Sequence, residues 1–331
     1  MTKSFIESSL AQPDLSFETP IRPERLADFT GQSAAKERLE VLIAAAKHRE
    51  EVLGHCLLCG PPGLGKTTLA YIIAKTMGTN LVVTSGPAID KAGDLAGMLT
   101  KLQTGDVLFI DEIHRMSRTV EEYLYPAMED FYLDVVIDSG PNATSVRLKL
   151  NPFTLVGATT RVGALTAPLR SRFLLQCRLE YYQPDELQKI ILRTAALLRT
   201  SIVNEAAWEI ARRSRGTPRI ANNLFRWVRD YATVHCGGSV DLDTALKALD
   251  MIAIDQLGLD QMDTRILEVM LDLYNGGPVG LTAIAAAVGE DAETLEEVYE
   301  PFLILQGLIR RTPRGREMTA AAYTHLNRNT P

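Results

Sequence analysis

The sequence predicts an α/β protein in which a parallel sheet between helices is followed by an all-α domain. A small C-terminal domain built as helix–turn–helix plus β-hairpin comes last. Three observations carry this reading. A short apolar segment, Cys56-Leu-Leu-Cys59, runs into Gly60-Pro-Pro-Gly-Leu-Gly-Lys-Thr-Thr68 and then into TLAYIIAKTM, whose apolar residues recur at helical spacing. A second apolar run, Val107–Ile110, ends in two carboxylates, as a fully buried parallel strand does where α/β sheets bind ligands. From Pro184 onward the pattern changes to amphipathic helices with apolar residues three and four apart.

Composition fixes the class. At 331 residues, 46% of them hydrophobic and 23% charged, the chain is long enough for two or three cores and too apolar for overall disorder. No apolar run approaches the roughly 18 residues of a membrane-spanning helix, so no membrane role is expected. MTKSFIESSLAQPDLSFETP lacks the basic and apolar regions of a signal peptide and reads as a flexible leader over 1–19, with order beginning near Pro20. Cys56 and Cys59 form a C-x-x-C without a second such pair or an H-x-x-x-H. They read as small hydrophobes in a buried strand, and a reducing cytoplasm is the expected compartment. A net charge of −6 gives no support for generic nucleic-acid binding through a basic surface and leaves room only for a local patch.

The chemistry is legible in the first domain. The stretch from Gly60 to Thr67 matches G-x-x-x-x-G-K-[ST] in the strand–loop–helix context the motif requires. Its glycines let backbone N–H groups approach phosphate oxygens, and the helix N-terminus favours the negative charge. Lys66 has the reach for β- and γ-phosphates, and the Thr67 hydroxyl suits Mg²⁺. Asp111 stands where it can hold the Mg²⁺ shell, and Glu112 where it can polarise an attacking water. A third strand, Phe153–Arg161, ends in hydroxyls, with Thr160 placed for the γ-phosphate or the water. In Ala167-Pro-Leu-Arg-Ser-Arg-Phe173, Arg170 and Arg172 are equal candidates for an arginine acting on a neighbouring subunit's nucleotide.

GPPGLGKTT, IDEIHR, GATTR, PLRSRF and GTPRIAN, in this order, resemble the AAA+ ATPases. With TSGP, AGDLA, EEYLYPAMED, LTAPLRSRF and RTPRGR, the chain closely resembles the RuvB family of bacterial Holliday-junction branch-migration motors from about Arg22 to Leu326. The resemblance implies an AAA+ ATPase domain over 20–182, a helical lid over 183–256 and a winged helix over 257–331. It implies ATP and Mg²⁺ as ligands, and a homo-hexameric ring that moves DNA. By the same resemblance Gly63, Leu64, Gly65, Lys66, Thr67 and Thr68 cradle the nucleotide. Asp111 and Glu112 form the Walker B pair, and Thr160 is sensor 1. Arg172 becomes the trans-acting finger, and Arg219 is sensor 2. Ile21 and Arg22 fall at the adenine, while Tyr182, Glu129, Asp130 and Phe131 fall at further nucleotide-contacting positions. His114 reads as a packed neighbour of this site.

Val135–Ile137 and Val146–Leu150 flank Asp138-Ser-Gly-Pro-Asn142 and read as a β-hairpin inserted between motifs. The resemblance makes this hairpin, near 131–150, the docking surface for RuvA, and makes RuvC a further partner. In the all-α region, helix Ala221–His235 carries a stripe of Leu224, Trp227, Val228 and Tyr231 that reads as core. The last domain reads as helices over Asp263–Tyr274, Leu281–Val288 and Thr294–Gln306, followed by a hairpin turning at Pro313. Four arginines, Arg310, Arg311, Arg314 and Arg316, crowd that hairpin. Residues 301–331 hold five arginines against one glutamate, a local positive excess in an acidic chain. Such a tip can grip phosphates without reading sequence. The alternative function is a clamp-loader-like ATPase switch that places a partner on DNA, although clamp loaders end in a collar domain.

Overall fold

Five short strands, each bounded by turn residues, pair in parallel in the computed structural model, which describes residues 4–11, 14–136 and 145–328. These are β1 (Cys56–Cys59), β2 (Leu81–Ser85), β3 (Val107–Asp111), β6 (Thr154–Thr159) and β7 (Leu175–Arg178), in the order β2-β3-β6-β1-β7. β1, β3 and β6 are the most buried, in keeping with the apolar runs of β1 and of β3 up to Ile110 and with the small and uncharged residues of β6. Register aligns their C-terminal ends: Cys59 stands beside Thr159, Ile110 beside Gly157, and Ser85 beside Asp111. Leu57, Leu108, Ile110 and Leu155 meet Leu95, Leu99, Val120 and Leu124 of the covering helices Ala92–Leu99 and Arg118–Glu129. The inserted hairpin is β4 (Tyr132–Val136) paired antiparallel with β5 (Ser145–Lys149). Its turn, Asp138–Asn142, lies outside the described residues.

Residues Ile21–Tyr182 form one unit, and the chain before and after them forms the other. In the second unit, helices Pro184–Leu197, Asn204–Arg212, Pro218–His235 and Leu242–Met251 make the bundle. Of the stripe read as core, Leu224 and Val228 are fully buried, while Tyr231 and Trp227 are half-buried, the Trp227 indole donating to the Ala248 carbonyl at 2.7 Å. The C-terminal domain has helices Gln261–Tyr274 and Leu281–Val288, then β8 (Ile309–Thr312) paired antiparallel with β9 (Gly315–Met318). The helix expected over 294–306 is not uniform. It widens to a π turn at Leu295–Tyr299 and resumes at Glu300–Leu305, because Pro301 has no N–H to continue the α ladder.

Two features depart from the sequence reading. Where the chain is described, the stretch read as a flexible leader is helical: Phe5–Ala11 and Leu15–Ile21 are helices, Ile6 is fully buried, and the first helix lies against Pro218–His235. The alternation in FIESSLA and LSFETPI is too short to signal a helix by periodicity, yet Ile6 and Phe17 supply enough apolar surface to dock these turns. The second feature is a buried cation at the seam of bundle and C-terminal domain. Arg215, 4% exposed, pairs with Asp263, lies 4.6 Å from the Phe302 ring centroid and donates to the Gly258 carbonyl at 2.9 Å.

Candidate functional site

The phosphate loop is shaped by what surrounds it. Gly60, at φ 145°, follows β1, and a Cβ there would sit 2.6 Å from the Leu179 carbonyl oxygen, so no larger residue fits. The loop ends at Gly65, which precedes the helix Lys66–Met77 and is also in the left-handed region. That helix offers N–H groups of its first turn that have no intrahelical acceptor. Lys66 is buried, and its ammonium donates to the carbonyls of Gly60 at 2.7 Å and Pro61 at 2.9 Å. Gly63, Leu64, Thr67 and Thr68 complete the stretch, with Leu64 fully buried. The Tyr182 hydroxyl donates to the Leu64 carbonyl at 3.3 Å. Ile21 is buried, and the Arg22 guanidinium lies 5.9 Å from the Tyr71 ring centroid on the helix that follows the loop.

Across the strand ends, Asp111 closes β3, and its Oδ1 accepts the Glu112 N–H at 3.0 Å. Glu112 adopts φ 46°, a left-handed conformation that costs a non-glycine residue about 1–3 kcal/mol. Gly86 of the same domain packs closely against this turn: a Cβ there would come within 2.4 Å of the Glu112 carbonyl oxygen. The Thr160 hydroxyl donates to Glu112 Oε2 at 3.3 Å. His114, expected to be only packed, is polar in its contacts: Nδ1 lies 3.0 Å from Thr159 Oγ1 and 3.3 Å from Glu112 Oε2. Burial lowers the His114 pKa, assisted by the nearby Arg161 and Arg115.

Of the two finger candidates, Arg172 is the one held in a built setting. Its Nη2 donates to Glu129 Oε2 at 3.0 Å, its Nη1 donates to the Pro168 carbonyl at 2.7 Å, and its guanidinium lies 4.4 Å from the Tyr125 ring centroid. Tyr125, which sequence reasoning missed, is in turn fixed through Glu121 at 2.6 Å. Asp130 is exposed beside Glu129 at the end of its helix. Phe131 instead packs in an aromatic cluster with Phe153 and His55, at centroid distances of 5.9 and 6.5 Å. Arg219 is the second residue of the helix Pro218–His235, and its partners are the Glu18 carboxylate at 3.3 Å and the Leu10 carbonyl at 3.2 Å.

At the C-terminal hairpin the four arginines are not equivalent. Arg316, 19% exposed, and Arg311 both clamp the Glu300 carboxylate, with shortest contacts of 2.7 Å each. Burial raises the Glu300 carboxyl, but the two guanidiniums outweigh it and hold its pKa below the usual range. Arg310 pairs with Glu317 at 2.8 Å and stays 68% exposed. Arg314 occupies the exposed two-residue turn between Thr312 and Gly315. No periodicity rule flags Glu300, because its partners lie 11 and 16 residues away.

Among the described residues no group of three or more His, Cys, Asp or Glu side chains could hold a metal, and no helix is long and apolar enough to cross a membrane. Cys56 and Cys59 are buried in β1, where desolvation pushes their thiols up to about 12 and about 11.

A phosphate loop on β1, an acidic pair at the end of β3, a hydroxyl at the end of β6 and a helical lid define a P-loop ATPase of the AAA+ class. Residues 21–179 match the model for the Holliday junction DNA helicase RuvB P-loop domain. Residues 182–255 match the RuvB AAA lid domain, and 256–327 the RuvB C-terminal winged helix domain. The chain therefore belongs to the RuvB family. It is 64% identical over 326 residues to the Holliday junction branch migration complex subunit RuvB of Protochlamydia amoebophila, covering 98% of each chain. The corresponding Chlamydia trachomatis subunit is 56% identical over 321 residues, covering 97% of this chain and 96% of that one. A solved structure, the Thermotoga maritima RuvB Holliday junction branch migration motor, superposes with a TM-score of 0.86 at 51% identity, covering 94% of this chain and 100% of that one.

Proposed function

We propose that this protein is the ATP-driven motor of Holliday-junction branch migration. In this reading it works as a homo-hexameric ring that pulls duplex DNA from a junction held by RuvA, with RuvC as a further partner, in the bacterial cytoplasm. The observation that carries it is the joint presence, in one chain, of the β1–β3–β6 phosphate site and a winged helix with an arginine-bearing hairpin. The clamp-loader alternative loses its ground because residues 256–327 match a winged helix and not a collar.

The site's residues divide the work. Lys66 and the loop N–H groups bind and orient the β- and γ-phosphates. The oxygens of Thr67 and Asp111 are a hard donor set that suits Mg²⁺. When bound, Mg²⁺ neutralises charge developing on the phosphates. Glu112 orients and deprotonates the attacking water, and Thr160, already a donor to Glu112, couples that carboxylate to the γ-phosphate position. Arg172 acts on the neighbouring subunit's nucleotide, which makes hydrolysis depend on the ring. Arg219 reports the γ-phosphate to the lid, and Ile21, Arg22 and Tyr182 line the nucleotide. In this reading Glu129 and Asp130 stand beside the finger, while the Phe131 ring packs on Phe153 and supports the site indirectly. The hairpin β4–β5 takes RuvA; Leu133 roots it in the core while Val146 is exposed.

The test is nucleotide binding and turnover in three variants. Lys66→Ala abolishes ATP binding, Glu112→Gln binds ATP but stops turnover, and Arg172→Ala lowers turnover about 10³-fold or more in the assembled ring. Mixing Arg172→Ala with Glu112→Gln subunits should restore some hydrolysis if the finger acts in trans. Absence of any recovery in mixed rings contradicts that assignment.

A further inference from the structure

We propose that His114 is a positioning residue for ATP hydrolysis, one that ties the Glu112 carboxylate to the end of the sensor strand β6. The proposal rests on the reading of Glu112 as the base. It adds a residue that touches the base and not the nucleotide.

Glu112 is left-handed and is followed by the single 3₁₀ turn Ile113–Arg115, closed by Arg115 N–H donating to the Glu112 carbonyl at 2.8 Å. That turn brings residue 114 back beneath residue 112 and against β6. Gly86 packs against this turn so closely that a Cβ there would lie 2.4 Å from the Glu112 carbonyl oxygen. The His114 side chain is 6% exposed, against 32% for Glu112, so the imidazole is enclosed while the carboxylate reaches outward.

The polar contacts then form a chain. Thr159 Oγ1 accepts the Arg161 N–H at 3.0 Å and meets His114 Nδ1 at 3.0 Å, and the same Nδ1 lies 3.3 Å from Glu112 Oε2. Thr160, the next residue of the strand end, donates to that same Oε2 at 3.3 Å. Two adjacent residues, Thr159 at the end of β6 and Thr160 just beyond it, therefore reach one carboxylate oxygen, Thr160 directly and Thr159 through the imidazole. A bare Nδ1 would face the carboxylate with its lone pair. The neutral tautomer with the proton on Nδ1 makes the contact attractive instead, and leaves Thr159 Oγ1 as acceptor of both N–H groups. Burial, which lowers the His114 pKa, keeps the ring neutral. The consequence is geometric: any movement of the β6 end reaches the base through two contacts and not one. A base off its line by about 1 Å costs on the order of 10²-fold in rate.

The experiment measures steady-state ATPase of the full chain on duplex DNA, with binding of a fluorescent ADP analogue measured in parallel. His114→Ala should lower kcat roughly 10- to 100-fold and leave KM and analogue affinity within about twofold. His114→Asn, whose amide nitrogen reproduces the position of Nδ1, should recover most of that loss. Thr159→Val, an isosteric change, should reproduce the His114→Ala loss and keeps the test open if His114→Ala fails to fold. In a Glu112→Gln background, His114→Ala should cause no further loss. An unchanged kcat in both His114→Ala and Thr159→Val overturns the proposal, as does a His114→Asn variant no better than His114→Ala. Normal turnover in Glu112→Gln alone would remove the base assignment itself, and is read separately from the His114 result.

Discussion

Arg316 lies with Nε 2.7 Å from Oε1 of Glu300, a carboxylate only 3% exposed, and this contact ties the C-terminal hairpin to the helix Glu300–Leu305. Arg311 shares the same carboxylate, so two of the four hairpin arginines are committed to the domain itself. The local positive excess read from the sequence is real, but part of it is structural.

The variants should separate accordingly. Arg316→Ala leaves Glu300 with only Arg311 and should destabilise the C-terminal domain by about 1–3 kcal/mol. Arg314→Ala should leave stability unchanged while weakening DNA binding uniformly across sequences. Its salt-dependence slope should fall by about one. Urea melts and DNA titrations at several salt concentrations check both. A stable Arg316→Ala with strongly reduced DNA affinity would return Arg316 to the DNA-contacting set alone.

Ile6 tests the N-terminal helices. If residues 5–11 were a loose leader, Ile6→Ala would be neutral. With Ile6 fully buried against the bundle, the substitution should cost about 2–5 kcal/mol. Denaturant midpoints of the two proteins decide between these outcomes.

His55 gives the phosphate-site domain an acid limit. Its Nδ1 accepts the Leu155 N–H at 2.9 Å, its Nε2–H donates to the Met128 carbonyl at 2.9 Å, and burial depresses its pKa. The unfolded ring takes up a proton near the ordinary value of 6.5, and the folded ring only at lower pH. The stabilisation is therefore fully present above about pH 6.5 and is lost as pH falls toward the folded value, by at most ~1.4 kcal/mol per unit. Melts of the wild type between pH 7.5 and 5 should show this slope, and His55→Gln should flatten it.

Legibility in the sequence followed the range of the interactions. The phosphate loop, the β3 carboxylates and the C-terminal hairpin are contiguous stretches whose residue types state their own geometry. Pairs that fold together from a distance were silent: Arg172 with Glu129, His114 with Thr159, and Arg316 with Glu300 are 43, 45 and 16 residues apart. The N-terminal helices were missed because seven-residue segments carry fewer than two full repeats of helical periodicity. The π turn was not read from the sequence: Pro301 stands inside the run read as one helix over 294–306, and the turn falls just upstream of it, at Leu295–Tyr299, both ends of which are buried.

The central claim is that hydrolysis at Glu112 drives junction movement. It is tested most directly with a synthetic four-way DNA junction, RuvA from the same source, ATP and Mg²⁺, following strand separation on a gel. Separation that requires RuvA and ATP, and that is lost in Glu112→Gln, is the predicted result. Robust ATPase with an unmoved junction would contradict the motor and leave only a nucleotide switch.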